Sequence, residues 1–328
     1  MAPFRPADGH RVVWREGFGT RFTVFVDTEE EFDWRAPFRH DGWGVSAVAA
    51  LPDAHRRFAE RGVESCYLVD YPVAIDPAAI DALRSIVAHG HGTIGAQLHP
   101  WVNPPFDETL SAHSSFAGNL PRALEAAKLD RLTDALTSLA GTAPTVYRAG
   151  RYGLGPATLG LLAAHGYALD SSMRARYDYG AQGGPDYRGI GNDAFHTGPD
   201  ERIVELPLTT VFTGRLRRGG PRLYEGAGRI PRGRGLLARL GLLHRVALTP
   251  EDMPLADALA AIRVAVGEGV RVLNFAYHSP SLAPGHTPYV RDAADLAAFW
   301  RWWDAVLDLL AALNVQPASS NDILAAVT

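Results

Sequence analysis

Asp27, Asp70, His99, Arg148, Asp170 and His278 occupy the same place in the pattern of the chain: each ends an apolar run. The runs are RFTVFVD (21–27), VESCYLVD (63–70), TIGAQLH (93–99), TVYR (145–148), GYALD (166–170) and VRVLNFAYH (270–278). A seventh run, IVELP (203–207), completes the set. One polar residue at such a place most simply caps a loop. Six of them ask for a common explanation, which is chemistry at one end of a sheet. Asp27, Glu29 and His99 offer oxygen and imidazole ligands suited to Zn²⁺, Mn²⁺ or a similar divalent ion. Such an ion lowers the pKa of bound water to ~7 and polarises a carbonyl. A carboxylate beside it could take the proton of that water. Arg148 could orient that base, and His278, from the far side, could give a proton to a leaving group. Together these residues describe metal-assisted hydrolysis of an amide or ester. Glu30 and Glu31, in the same acidic run, read as a solvated face. Trp34, Trp43 and Trp101 follow the first and third runs, where an aromatic face suits either core packing or a sugar ring.

The runs that carry these residues are five to nine long for the most part, β-branched and aromatic, and read as buried strands. Between them lie helical patterns: Leu51–Arg61, Pro77–His89, Pro121–Leu139, Pro156–His165, Pro254–Gly267 and Asp292–Leu313. Several start with Pro and end before Gly, the expected asymmetry of helix ends. In the last, Leu296, Phe299, Trp303, Val306, Leu310 and Leu313 form one core-facing stripe. Strands alternating with helices imply parallel pairing through crossovers, and seven of them fit a closed or nearly closed barrel. In such barrels the reacting groups gather at the carboxyl ends of the strands.

Length and composition agree. The chain has 328 residues, 47% apolar and 21% charged, enough for one large α/β domain with a packed core. Residues 1–20 read as a lead-in and 21–328 as the barrel. A net charge of −4 gives no electrostatic ground for nucleic-acid binding. The single cysteine, Cys66, excludes an intrachain disulfide and a multi-cysteine zinc site. No apolar run is long enough to span a membrane, and the first residues have no secretory apolar region, so a cytoplasmic protein is expected. Lys128 is the only lysine among 32 basic residues, which reads as a bias of composition.

The segments FTVFVDTEEEFDW, IGAQLHPWVNPP, YRAGRYGLG, LDSS and FAYHSPSLAPGHTPYVRD, in this order, resemble the polysaccharide deacetylase family. This is the NodB-homology or carbohydrate esterase 4 group, and YLVDYPVA and GGPDYRG resemble its WalW-type branch. The resemblance spans roughly residues 20–315. It implies a distorted (β/α)7 barrel, a bound divalent cation, and removal of an N-acetyl or related acyl group from a carbohydrate. Under it, Asp27 matches the general base and Glu29 the metal carboxylate. His99 matches a metal histidine, while Gln97 stands where a further ligand is expected. Arg148 matches the arginine that orients the base, Asp170 a partner of that arginine, and Tyr152 the residue whose N–H holds the oxyanion. His278 matches the general acid. Trp34, Asp70, Gln97, Trp101 and Arg151 are the candidates for substrate contact. The expected partner is a carbohydrate or acylated amino sugar, with anionic or lipid-linked forms included; the oligomeric state is not legible.

Two other readings stand beside this one. Residues 147–170 form a strand, a glycine-rich turn, a helix and a strand ending in an acid, which suits a nicotinamide cofactor. However, Gly150, Gly153 and Gly155 are spaced in the reverse of the dinucleotide fingerprint. Alternatively, loss of one metal histidine fits a carbohydrate-binding barrel whose site has decayed. Residues 214–245 read as an irregular insertion with nine arginines and one acid. This suits a solvated loop, an anion-binding lid, or in its last third a short basic helix.

Overall fold

The computed structural model describes residues 10–33 and 36–328; Trp34 lies outside them. The strand runs become β1 (Arg21–Thr28), β2 (Ser65–Val69), β3 (Gly92–Leu98), β4 (Val146–Ala149), β5 (Leu169–Asp170), β7 (Ile203–Glu205) and β10 (Val272–His278). They pair in the order β10-β1-β2-β3-β4-β5-β7, all parallel, and β6 (Phe195–Thr197) adds an antiparallel edge on β7. The crossover helices are α1 (Leu51–Ala59), α2 (Tyr71–Ile75), α3 (Pro77–His89), α4 (Arg122–Ala140), α5 (Thr158–Ala164) and α8 (Leu255–Gly267). The long α9 (Ala293–Ala312) follows β10, and its Phe299, Trp303, Val306 and Leu310 are buried. Its start is fixed by Asp292, which accepts from the N–H groups of Ala294 and Asp295.

Side chains alternate across each strand with period 2, and the two faces have different fates. Phe22, Val24 and Val26 of β1, Tyr67 and Val69 of β2, and Phe275 and Tyr277 of β10 face the helices and join the larger core. Phe25, Cys66, Leu68, Val146, Leu169 and Val272 face inward and make a second, smaller core. α10 (Ser320–Ala325) packs Ile323 against this inner core. β11 (Gln316–Pro317), just before α10, pairs with the first residues of β1, so α10 fills the amino end. Moving up the same inward faces, the residues become polar: Asp27, Gln97, Arg148, Asn274 and His278. The barrel is therefore apolar below and ionisable above.

The sheet curls without closing. Among the described residues no ladder joins β7 to β10. Asn274 spans the gap instead: its Nδ2 donates to Leu206 O (3.0 Å) and Ser171 Oγ (2.9 Å), and its N–H donates to Thr209 Oγ1 (2.9 Å).

Residues 214–245 are more regular than their composition suggests. They lie within an antiparallel ribbon, β8 (Thr210–Thr213) with β9 (His244–Ala247), which frames two short helices, α6 (Gly220–Gly228) and α7 (Gly233–Arg239). Arg215, Arg217 and Arg218 are exposed there. No helix among the described residues is long and apolar enough to cross a membrane.

Candidate active site

Strand register brings the predicted residues together. Asp27 of β1 lies opposite His278 of β10, and Gln97 of β3 opposite Arg148 of β4. Asp27 Oδ1 accepts from Arg148 Nη1 at 2.6 Å, and Asp27 Oδ2 is 3.7 Å from His278 Nε2. Arg148 is fully buried; its Nε donates to Ser171 O (2.9 Å) and its Nη2 to Ser171 Oγ (3.1 Å). With three anchors the guanidinium fixes which oxygen of Asp27 is left toward His278.

His278 has its own support. Glu251 accepts from His278 Nδ1 at 2.5 Å with one oxygen, and from the His278 N–H (3.1 Å) and Ser281 Oγ with the other. Burial works against a charged imidazole here. The carboxylates of Glu251, Glu29 and Asp27 outweigh it and hold His278 well above the usual histidine range.

His99 sits on a floor of buried groups. Its Nδ1 is 2.8 Å from Glu30 Oε2, whose other oxygen accepts from Trp101 Nε1 at 2.7 Å. The Trp101 ring stacks on the imidazole, with centroids 4.5 Å apart. Asp70 caps α2 by accepting from Val73 N–H and also accepts from Glu30 N–H (2.8 Å). Glu30, Asp70 and His99 offer ligand atoms within 4.8 Å of one another. Those of Glu30 and Asp70 are already engaged by N–H donors, so the group orients the imidazole. The other ring nitrogen, Nε2, lies 3.5 Å from Glu29 Oε2. Burial pushes the Glu29 carboxyl up to about 8. Gln97 Oε1 is buried in the same cavity with no hydrogen-bond partner.

These groups border a cavity with two adjoining lobes, of about 340 and 230 Å³. Asp27, Tyr152, Arg174, His278 and Tyr289 line both. Glu29, Gln97, His99, Arg148 and Arg151 line the larger one.

Some expectations change. Glu30 is not part of a solvated face; at 1% exposure it is among the most buried acids, drawn in by His99 and Trp101. Trp101 and Asp70, expected at the substrate, line neither lobe and support His99 from behind. Asp170, expected against Arg148, accepts from Ser172 Oγ and lies in register with Glu205 of β7. Arg148 acts on Asp170 by charge rather than by a hydrogen bond. Burial drives both carboxyls upward, Asp170 to about 6, and the charge of Asp170 adds to the rise at Glu205. The glycines of the supposed dinucleotide turn serve chain packing. A Cβ on Gly150 would stand 2.2 Å from His99 Cδ2, and one on Gly155 2.1 Å from Gly118 O. Arg151 and Tyr152, between them, both take left-handed backbone.

The residues missed in the sequence are Glu30, Glu205, Glu251, Arg174 and Tyr289. Glu251 alone carried a signal: VALTPED is another apolar run ending in acids.

The fold is that of the polysaccharide-deacetylase barrels. A solved protein of Mycobacterium smegmatis assigned as a polysaccharide deacetylase superposes with TM-score 0.51 at 17% identity, over 97% of this chain and 98% of its own. The Puue allantoinase gives 0.51 at 14% identity, over 94% and 91%. A 4-alpha-glucanotransferase of Thermococcus litoralis gives 0.55 at 11% identity, over 94% of this chain, which spans only 41% of that enzyme. Identities this low make the likeness one of fold. No protein-family model matches the chain, and no curated protein matches it.

Proposed function

We propose that the protein is a hydrolase that removes an acyl group, N-acetyl foremost, from an amino sugar. One observation carries this reading: two supported proton-transfer groups, Asp27 on Arg148 and His278 on Glu251, stand side by side on adjacent strands in the wall of one cavity rather than on opposite sides of the barrel. Asp27 takes a proton from water as its oxygen bonds to the acyl carbon. In this reading the N–H of Tyr152, which lies in a turn of left-handed backbone, holds the oxygen that becomes negative. His278 then protonates the nitrogen as the C–N bond breaks, releasing a free acid and a free amine. A site that had decayed into a binding surface would not need Arg148 and Glu251 to hold two proton carriers in register.

Part of the expected donor set suits a divalent ion: Glu29 Oε2 and His99 Nε2 lie 3.5 Å apart and Gln97 Oε1 borders the same cavity, so they would supply a carboxylate, an imidazole and an amide oxygen, and the orphaned Gln97 oxygen is the observation that favours a ligand there. Asp27, held by Arg148, is left to act as the base. When bound, such an ion would acidify water and polarise the acyl oxygen.

The test is release of acid from N-acetylglucosamine oligomers with added Zn²⁺, Co²⁺ or Mn²⁺. Asp27→Asn should cost ~10²–10⁴ in rate with an unchanged circular dichroism spectrum. A variant within threefold of the parent protein sinks the role of Asp27. No acid release from any acylated amino sugar sinks the reading itself.

A further inference from the structure

Three of the carboxylates around the cavity are already committed, Asp27 to Arg148, Glu251 to His278 and Glu29 to the side of His99, and the fourth, Asp252, is exposed at the edge of the smaller lobe. Two guanidiniums in the walls have no carboxylate partner among the described residues. Arg174 lines both lobes and makes no ion pair among the described residues; its Nε is buried without a hydrogen-bond partner there. Its planar group lies over Tyr177, 3.9 Å from the ring centre, and 5.6 Å from that of Tyr152. Tyr177 in turn carries Arg245 of β9 at 3.6 Å. The rings thus fix the plane of the Arg174 guanidinium. Arg151 lines the larger lobe, donates to Ser115 Oγ and Gln182 Oε1, and lies 4.3 Å from the ring centre of Phe116. It too has no carboxylate partner among the described residues.

Arginine keeps its charge in any protein environment. Stacking on aromatic rings offsets part of the cost of burying that charge, but at Arg174 it leaves the buried Nε–H without an acceptor. A guanidinium edge pairs best with a planar or tetrahedral oxyanion, through two parallel hydrogen bonds. The exposed arginines of 214–245, for which an anion lid was one of three readings, line neither lobe. The pairing chemistry inside the cavity comes instead from Arg174 and Arg151, and the insertion reaches it only through Arg245 on Tyr177.

We propose that the substrate carries a carboxylate or phosphate, and that Arg174, assisted by Arg151, binds it in the wall shared by the two lobes. This deepens the deacylase reading by naming the class of sugar: an acylated amino sugar bearing an oxyanion on a carbon other than the one that holds the acylamino group.

Calorimetric titration tests this without turnover. The probes are N-acetylglucosamine, N-acetylmuramic acid (the same ring with a carboxylate) and N-acetylglucosamine 1-phosphate. The expected result is binding of at least one anionic sugar tenfold or more tighter than the neutral one. Arg174→Gln should reduce that preference to threefold or less, and Arg174→Lys should restore part of it. Thermal unfolding confirms that each variant is folded. The carboxylate and phosphate arms show which oxyanion is used. Equal affinity for all three sugars, no binding of any, or a preference unchanged in both Arg174→Gln and the Arg151→Gln/Arg174→Gln double variant overturns the proposal. Acid release is scored separately. A preference without acid release leaves the anion site standing and removes the deacylase reading. Acid release without a preference does the reverse.

Discussion

At the scale of single residues, the site is built from pairs in which one member does chemistry and the other aims it. Glu251 makes the clearest case. It holds His278 by ring and backbone together, and its charge is the main influence raising the imidazole against burial. Glu251→Gln should therefore lower the pKa of His278. A protonated imidazole is the acid, so the alkaline limb of the kcat/KM profile should move to lower pH, while the acid limb stays in place. The accompanying fall in kcat should be on the order of 10–100-fold, short of the ~10²–10⁴ that goes with losing a general acid. A profile that overlays the parent's would show that Glu251 only packs. Glu30 stands behind His99 in the same way. Glu30→Gln should weaken Zn²⁺ or Mn²⁺ binding by about 10–100-fold, the usual effect of removing a carboxylate behind a metal histidine, and a chelator competition titration measures it. Asp27, Glu29, His99, Arg148 and His278 could be picked out in sequence because each stands at or just past the end of an apolar run. Glu30, Glu205 and Arg174 could not. Their roles depend on burial and, for the two acids, on partners tens of residues away, and an acid inside an acidic run gives no sign of which way it turns.

At the scale of elements, the chain before His99 and the chain after it are held by different means. β3 places His99 by its ladder with β2 and β4. The loop that follows has no ladder. It is fixed by Lys128 of α4, whose Nζ donates to Pro100 O (2.9 Å), Asn103 O (2.6 Å) and Pro105 O (2.7 Å) and pairs with Glu108 at 3.0 Å. Lys128 is fully buried. The expected composition bias is real in number, but the one lysine that remains has a structural task. Lys128→Met should cost about 3–5 kcal/mol, because it strands a buried carboxylate and three carbonyls, and denaturant unfolding reads this directly. A loss under 1 kcal/mol would mean that the loop finds other partners. Periodicity located six helices and seven strands within a few residues of where they lie, because each has a face to bury. It missed β6, β8, β9 and β11 and the short helices α2 and α10, which lie outside the regular alternation of strand and helix. It also missed α6 and α7, where glycine and arginine interrupt the apolar spacing.

At the scale of the molecule, the barrel is a curled sheet with one seam. A ladder distributes closure over many backbone bonds, whereas here the β7 and β10 sides meet through the Asn274 side chain and a few scattered backbone bonds, among them Thr209 N–H to Asn274 O (3.3 Å) and Ala276 N–H to Leu248 O (3.2 Å). The Asn274 side chain also reaches Ser171, which holds Arg148, so the seam and the base share a support. Asn274→Ala leaves Leu206 O and Ser171 Oγ without this donor. The expected loss is about 1–3 kcal/mol, and amide exchange should quicken in β7 before it does in β1 or β2. Uniform quickening across all strands would show that closure is spread more widely.

Lys128 has one more consequence, which concerns how the folded chain meets reagents. It is the only side-chain amine in the sequence, and it lies at zero exposure beneath the loop that carries Trp101. Amine-reactive dyes, crosslinkers and acylating agents therefore find no side-chain target on the surface of the native protein. Any label that arrives at position 128 records a moment when the loop over it stood open. The chain carries its own chemical clock for that opening, read by mass spectrometry at a single site, with no tag and no mutation.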